Sequence, residues 1–170
     1  MIEKTIERNN INIIKKVATD AGLIISFVLV TIYSHLLPFP LYVIEPMRII
    51  LIFTIIFTNK ANQYFFAIIL PLISFFVSGH PPLEKSLIII SELCLNVGIF
   101  GLLNKKKINI AINIGLSIIL SKIAYYIIKF AVFGLILKEA LSLESERIFQ
   151  QIGIIIGLSV FGGIINKIKK

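Results

Sequence analysis

Cysteine, histidine and tryptophan are scarce in this chain of 170 residues, which contains one cysteine, two histidines and no tryptophan. The single thiol, Cys94, has no partner for a disulfide within the chain. The two histidines, His35 and His80, form no cluster that has the spacing of a metal site. The sequence therefore predicts neither a bound metal nor another cofactor.

Catalytic motifs are absent as well. The sequence contains no GxxxxGK phosphate loop followed by serine or threonine, so this chain does not hydrolyse ATP by that route. The HExxH and GxSxG motifs and the paired aspartate-rich motifs of prenyl transferases are also missing. We therefore expect a protein that is not an enzyme.

Apolar residues, in contrast, are abundant. They make up 57% of the chain, and the mean hydropathy is +0.95, whereas apolar residues make up about 45–50% of a soluble domain. This composition predicts an all-α integral membrane protein embedded in a lipid bilayer. The formal net charge is +8, but the basic residues lie mainly between apolar runs, where they are topology signals. We therefore expect no nucleic-acid partner.

The apolar runs predict six transmembrane helices. A charged cytoplasmic tail at residues 1–16 precedes them, and a basic cytoplasmic tail at residues 166–170 follows them. A single membrane domain at residues 17–165 contains the predicted spans, which lie at about 17–37, 45–58, 64–77, 86–103, 108–137 and 148–165. The second and third runs are short for a span, and Pro71 interrupts the third, so this pair either crosses the bilayer or forms a re-entrant hairpin.

The distribution of lysine and arginine predicts the orientation of the chain. With the amino terminus inside, eleven basic residues fall in the inner segments and three, Lys85, Lys138 and Arg147, fall in the outer segments. The positive-inside rule then places both termini in the cytoplasm. A re-entrant pair leaves the orientation of the later spans unchanged.

Polar residues inside the predicted spans are the candidate functional groups, because an ionisable side chain in hydrocarbon costs several kcal/mol unless it is paired or hydrated. Glu92 and Asn96 share one face of the fourth span, and Lys122, Tyr126 and Lys129 share one face of the fifth. In the predicted topology these groups lie mostly in the outer half of the bundle. That bias favours a cavity that opens to the outside.

Three further candidates lie toward the outer side of this topology. Arg48 is near the outer end of the second span, His80 is in the corner after the third, and Gln151 is at the outer end of the sixth. His80, between Gly79 and Pro81, fits an exposed loop residue better than a metal ligand.

The buried charges also have a purely structural interpretation. Glu92 can pair with Lys122 or Lys129 simply to join two helices, and Glu45 can neutralise Arg48, which lies three residues further along the chain. Both interpretations remain open for each residue, although the common half of the bundle favours a cavity for the set.

Small residues mark two helix faces. Ala18, Gly22 and Ser26 recur every four residues in the cytoplasmic half of the first span, which leaves a groove where another helix can approach closely. This groove fits a docking face or internal packing equally well. Gly153 and Gly157 form the same pattern in the sixth span, and there we favour internal packing.

Several stretches resemble the substrate-binding S components of energy-coupling factor (ECF) vitamin transporters. A proline opens the second span after the region at residues 38–46, the corner PLISFFVSGHPP lies at residues 71–82, and Ser91-Glu92-Leu93 lies in the fourth span. In the fifth span, GLSIILSKIAYYIIK, Ser121-Lys122 stand where many members have a Gly-Arg pair. Lysine keeps the charge but lacks the planar fork of a guanidinium.

The resemblance implies a six-span receptor in the bacterial cytoplasmic membrane. It implies capture of a vitamin or related micronutrient from outside, beneath the loops at residues 38–42 and 78–85, and uptake driven by a transmembrane coupling subunit and two cytoplasmic ATPase subunits. Ala18, Gly22 and Ser26 then resemble the docking face for the coupling subunit. The net charge expected for the outer cavity is one positive, which favours a weakly anionic or zwitterionic ligand.

Two other classes of protein remain as alternatives. A membrane scaffold or assembly protein would have buried charges that neutralise one another, without a ligand cavity. A small membrane enzyme acting on a lipid or isoprenoid would use Glu92 as a base, and it would need a polar opening toward the bilayer or the cytoplasm.

Overall fold

The computed structural model describes residues 2–36, 45–106, 108–132 and 146–168. Within these ranges the chain is all-helical, and none of these residues forms a β-strand. The six helices are α1 (Ile2–Leu36), α2 (Pro46–Phe57), α3 (Lys60–Ser78), α4 (Leu83–Lys105), α5 (Ile110–Lys129) and α6 (Glu146–Ile168). The predicted loop at residues 38–42, the end of the fifth predicted span at 133–137 and the last two tail residues lie outside the described residues.

Three of these helices have the length and apolar character needed to cross a membrane. They are the segments Lys60–Ser78, Leu83–Lys105 and Ile110–Val132, the last of which includes one π-helical turn after α5. The apolar segments Val17–Tyr33, Pro46–Phe57 and Gln151–Ile165 are shorter. The predicted all-α class and its membrane-helix character are thus confirmed at this level.

Local sequence signals explain where the long helices begin and end. The side chain of Asn59 accepts a hydrogen bond from the Asn62 amide at the start of α3, and Asn109 accepts one from the Ala111 amide at the start of α5. At the end of α3, Gly79 has a φ of 67°, and its N–H donates to the Phe75 carbonyl. Glycine adopts this left-handed conformation at no steric cost, so α3 ends at Ser78, one residue beyond the predicted end of the third span at residue 77.

One predicted break is absent from the helices. α3 continues through Pro71, which is buried within it, so the expectation of an interruption at this proline was wrong. A proline removes one helical hydrogen bond, and helices in a membrane tolerate this loss when neighbouring groups compensate. In α1, the charged segment at residues 2–16 is helical and continuous with the first predicted span.

The helices α1, α3, α4, α5 and α6 are neighbours in that order, and the short helix α2 packs against α1, α3, α4 and α6. The apolar core lies where α2 meets this arc. Its most deeply buried side chains come from five helices and include Phe27, Leu51, Ile52, Phe66, Leu70, Leu93, Ile114 and Ile118. This position of α2 brings its first turn against the middle of the bundle.

Close packing of α5 against α6 depends on glycines other than those expected. A Cβ added at Gly162 would lie 2.2 Å from Cδ1 of Ile114, and one added at Gly115 would lie 2.8 Å from Oγ of Ser159. Gly153 and Gly157 are exposed, and no described residue lies within 4 Å of a Cβ added at either position. The expectation that Gly153 and Gly157 pack internally was therefore wrong, because the opposite face of α6 meets α5.

The outward faces of the helices are strongly apolar. Phe76 is 79% exposed, Ile127 64% and Leu102 62%, whereas charged and amide side chains of α2, α4 and α5 are buried. A soluble monomer rarely exposes such continuous apolar surface. The arrangement suits a protein whose surroundings are lipid.

Candidate functional site

Four ionisable side chains meet inside the bundle, and we refer to Glu45, Arg48, Glu92 and Lys122 as the ionic cluster. Arg48, in the first turn of α2, donates from Nε to Oε2 of Glu45 at 2.6 Å and from Nη2 to Oε1 of Glu92 on α4. Arg48 is 3% exposed and Glu92 is 4% exposed. Burial removes water from these charges, so each depends on its partner in the protein.

Lys122 completes the cluster from α5. Its Nζ donates to Oε1 of Glu45 at 2.5 Å and lies 4.0 Å from Oε1 of Glu92. Each carboxylate therefore faces two cations, and the four formal charges sum to zero. The cluster links α2, α4 and α5 by charge as well as by packing.

Glu45 owes its position to an unusual backbone conformation. It directly precedes α2, with Pro46 at the first helical position, and has φ 51° and ψ 59°, in the left-handed region. Its side chain makes no capping bond to the helix. The carboxylate instead receives hydrogen bonds from Arg48 and Lys122, so charge pairing replaces capping at this helix start.

Aromatic and amide groups of α5 and α6 flank the cluster. The Lys122 ammonium lies 5.9 Å from the centre of the Tyr125 ring, within range of a cation–π interaction. Tyr126, which is 37% exposed, donates from its hydroxyl to Oε1 of Gln151 at 3.3 Å. Tyr126 and Gln151 thus form a separate contact between α5 and α6, outside the ionic cluster.

Asn96 lies one turn beyond Glu92 on α4 and is completely buried, with 0% exposure. Neither its Nδ2 nor its Oδ1 has a hydrogen-bond partner among the described residues, and the same holds for Nη1 of Arg48. Buried polar atoms in folded proteins nearly always have a partner, which is often water. These three atoms are therefore the unused hydrogen-bonding capacity of the site.

Besides Asn96, Tyr126 and Gln151, two more of the predicted site residues lie outside the cluster. Lys129, in the last turn of α5, is half-buried, and no acidic side chain of the described residues lies within ion-pair distance of it. His80 is exposed in the corner between α3 and α4, where its backbone carbonyl accepts hydrogen bonds from Ser74 and Ser78. The structure thus brings Arg48, Glu92 and Lys122 together and leaves these two outside.

The contact between Arg48 and Glu92 was not predicted, because the structural interpretation paired Glu92 with a lysine of the fifth span. These two residues are 44 positions apart, and α2 and α4 are not consecutive helices. The local Glu45–Arg48 pair was predicted and is present. For the contacts between helices, the available signal was that α2, α4 and α5 each carry a charge toward the same end of the bundle.

The small residues of α1 lie on an open face. Ala18, Gly22 and Ser26 are all exposed, and none of the residues that the structure describes lies within 4 Å of a Cβ added at Gly22. The Ser26 hydroxyl donates to the Gly22 carbonyl at 2.8 Å, within the helix. The other open alternative, packing of this face within the chain, is not what the described helices show.

Among the described residues, no group of three or more His, Cys, Asp or Glu side chains has the geometry of a metal site. The chain has no significant match to a protein-family model, to a curated protein or to a solved structure. Over the described residues, fold and site together define an all-helical protein that has three helices long and apolar enough to cross a membrane and a buried, charge-balanced cluster.

Proposed function

We propose that this protein is a membrane receptor for a small polar molecule, of the kind that supplies substrate to an ATP-driven importer. The observation that carries the proposal is the ionic cluster with unpartnered polar atoms beside it. Ionisable groups placed in a membrane interior default to a functional role. Asn96 and Nη1 of Arg48 add hydrogen-bonding capacity that the protein itself does not use.

The proposed topology has six spans with both termini in the cytoplasm of a bacterium. The three long apolar helices support a membrane location, as do the apolar side chains on the outer faces and the charged side chains buried in the bundle. The short helix α2, about 18 Å long at 1.5 Å per residue, then forms only part of the second span. In this topology the ionic cluster lies in the outer half, where an extracellular ligand arrives.

The proposed ligand is zwitterionic or neutral, because the four charges of the cluster cancel. The expected net charge of one positive was the sum of Arg48, Lys122 and Lys129 against Glu45 and Glu92, but Lys129 lies outside the cluster. A ligand carrying one carboxylate and one amine can exchange partners with the cluster and leave every charge paired. A strongly anionic ligand would leave an unbalanced charge in a buried site, at a cost of several kcal/mol.

Mass spectrometry of small molecules that co-purify with the protein tests the receptor proposal. The protein is purified in detergent and denatured, and the released molecules are compared with those from the Asn96→Leu variant. We expect one polar micronutrient that is retained by the parent protein and depleted in the variant. Both the protein and a control membrane protein are incubated with spent growth medium before purification. The proposal fails if no molecule is enriched in the protein sample over the control.

The partners proposed are a transmembrane coupling subunit and two cytoplasmic ATPases, with Ala18, Gly22 and Ser26 as the docking face. The exposure of this face supports the assignment, since a partner helix can approach it closely. Gly22→Leu should abolish co-purification of a co-expressed coupling subunit and leave ligand retention intact. Gly157→Leu, at an equally open glycine on α6, is the matched control and should have no effect.

A structural scaffold is the second candidate, and the complete pairing of the four charges favours it. In a scaffold the ionic cluster would serve only to join α2, α4 and α5. The co-purification experiment separates the two functions, because a scaffold retains no small molecule. A scaffold would also bind its partner through other surfaces, so Gly22→Leu would not affect assembly.

A further inference from the structure

The interface between α4 and α5 contains a line of buried polar side chains, of which the proposed function uses only Asn96. We call Asn96, Asn113, Ser117 and Ser121 the α4–α5 seam. All four have 0% exposure. The three residues of α5 are spaced four apart, so they lie along one face of that helix.

One hydrogen bond fixes how the two helices are aligned. Nδ2 of Asn113 donates to the backbone carbonyl of Phe100 at 3.2 Å. The helices are antiparallel, so Asn96, one turn before Phe100, lies near the level of Ser117, one turn after Asn113. One turn further, Glu92 reaches the level of Lys122, in agreement with the 4.0 Å between their charged atoms. The seam therefore runs from the ionic cluster to the opposite part of the bundle.

The seam has both donors and acceptors without partners. Nδ2 and Oδ1 of Asn96 and Oδ1 of Asn113 have none among the described residues, nor does Nη1 of Arg48 at the cluster end. Ser117 and Ser121 donate their hydroxyl hydrogens to carbonyls of their own helix at 2.9 and 3.0 Å, which leaves their oxygens free to accept. Each unsatisfied buried group costs about 1–3 kcal/mol.

The chemistry of these atoms selects the occupant. A metal cation would satisfy the oxygens only, and the positive charges of Arg48 and Lys122 would repel it. An anion would satisfy the donors only and would add uncompensated charge to a balanced cluster. Water both donates and accepts, carries no charge and typically makes about three hydrogen bonds in such a site.

We propose that the α4–α5 seam binds a file of internal water molecules that extends from the ionic cluster to Asn113. The cluster then has a polar connection through the apolar core toward the far end of α5. This inference does not depend on the receptor proposal, since a scaffold with the same seam would hold the same water.

Hydroxyl-radical footprinting of the full chain in lipid nanodiscs tests the proposal, because radiolysis of bound water oxidises the side chains beside it. Phe100 and Phe66 are both buried, at 7% and 0% exposure. Phe100 lies one turn from Asn96 on α4 and its carbonyl accepts the hydrogen bond from Asn113, whereas Phe66 lies on α3. We expect Phe100 to be oxidised severalfold faster than Phe66. Equal rates for the two rings in the parent protein would overturn the proposal, whatever the variants do.

Variants that fill the seam with apolar side chains provide the second arm. Asn113→Leu and Asn96→Leu should each lower the oxidation rate of Phe100 toward that of Phe66. Asn104→Leu, at an exposed position one turn beyond Phe100, is the matched control and should leave the rate unchanged. If one seam variant does not fold, the other still decides. A Phe100 rate that persists in a folded seam variant contradicts the proposal.

Discussion

Carboxylates are held in two different ways in the two parts of this molecule. In the ionic cluster, Glu45 and Glu92 each face two cations. At the start of α3, Asn62 donates from Nδ2 to Oδ2 of Asp20 on α1. No cation of the described residues lies within ion-pair distance of Asp20. In the ionic cluster, opposite charges neutralise one another. At Asp20, a neutral amide stabilises a single negative charge by a hydrogen bond. The free energy of unfolding should therefore fall when any single charge of the cluster is removed, and it should change little when the charge of Asp20 is removed.

Arg48→Met tests this contrast most severely and should have the largest effect. The change removes the main partner of Glu92 and one partner of Glu45, and breaking a buried ion pair from one side costs about 3–5 kcal/mol. We expect a loss of that size in the free energy of unfolding, measured by denaturant titration in mixed micelles.

The double variant Arg48→Met/Glu92→Gln is the control for that interpretation. It removes one charge of each sign, so we expect it to be more stable than Arg48→Met alone, because the remaining pair of Glu45 and Lys122 is balanced. If the second substitution lowers stability further, the two residues do not act as a charge pair.

Lys122→Met should have an intermediate effect. Glu45 retains its 2.6 Å contact with Arg48, and the side chains of Lys122 and Glu45 are 13% and 21% exposed, so water partly replaces the lost partner. We expect a loss of about 1–2 kcal/mol in the same unfolding experiment. A loss as large as that of Arg48→Met would show that Lys122 stabilises the cluster as much as Arg48 does.

Asp20→Asn should have the smallest effect. The new amide oxygen still accepts a hydrogen bond from Asn62, and no cation loses its partner, so the free energy of unfolding should change by about 1 kcal/mol or less. Asp20→Leu, which removes the acceptor, should cost more than Asp20→Asn. A large loss in the asparagine variant would reveal a dependence on charge that the Asp20–Asn62 contact does not explain.

The sequence was sufficient for the helical fold where local chemistry decides the outcome. The apolar runs indicate where the helices lie, and Gly79 ends α3 through its backbone conformation. The caps at Asn59 and Asn109 were not predicted, so the third span was expected to begin at residue 64, four residues after α3 begins. The sequence was also insufficient at Pro71, because a proline rule derived for isolated helices does not include the packing that tolerates it.

The site was predictable in its membership more than in its contacts. Arg48, Glu92 and Lys122 stand out because charges inside apolar runs are rare. Which of them pair depends on how α2 packs against α4, and no spacing along the chain encodes that contact. The same limit explains the two glycine patterns, since Gly153 and Gly162 lie in one helix and only the packing of α5 decides which is buried.

The left-handed backbone at Glu45 has a consequence for how this position tolerates change. Ordinary residues disfavour this conformation by about 1 kcal/mol or more, and glycine does not. Substitutions at Glu45 should therefore have two opposing effects. Glycine would adopt the left-handed backbone more easily, but it would remove the carboxylate that Arg48 and Lys122 share. That glutamate is found where glycine would be the easier choice indicates that the side chain, not the turn, determines the identity of this residue.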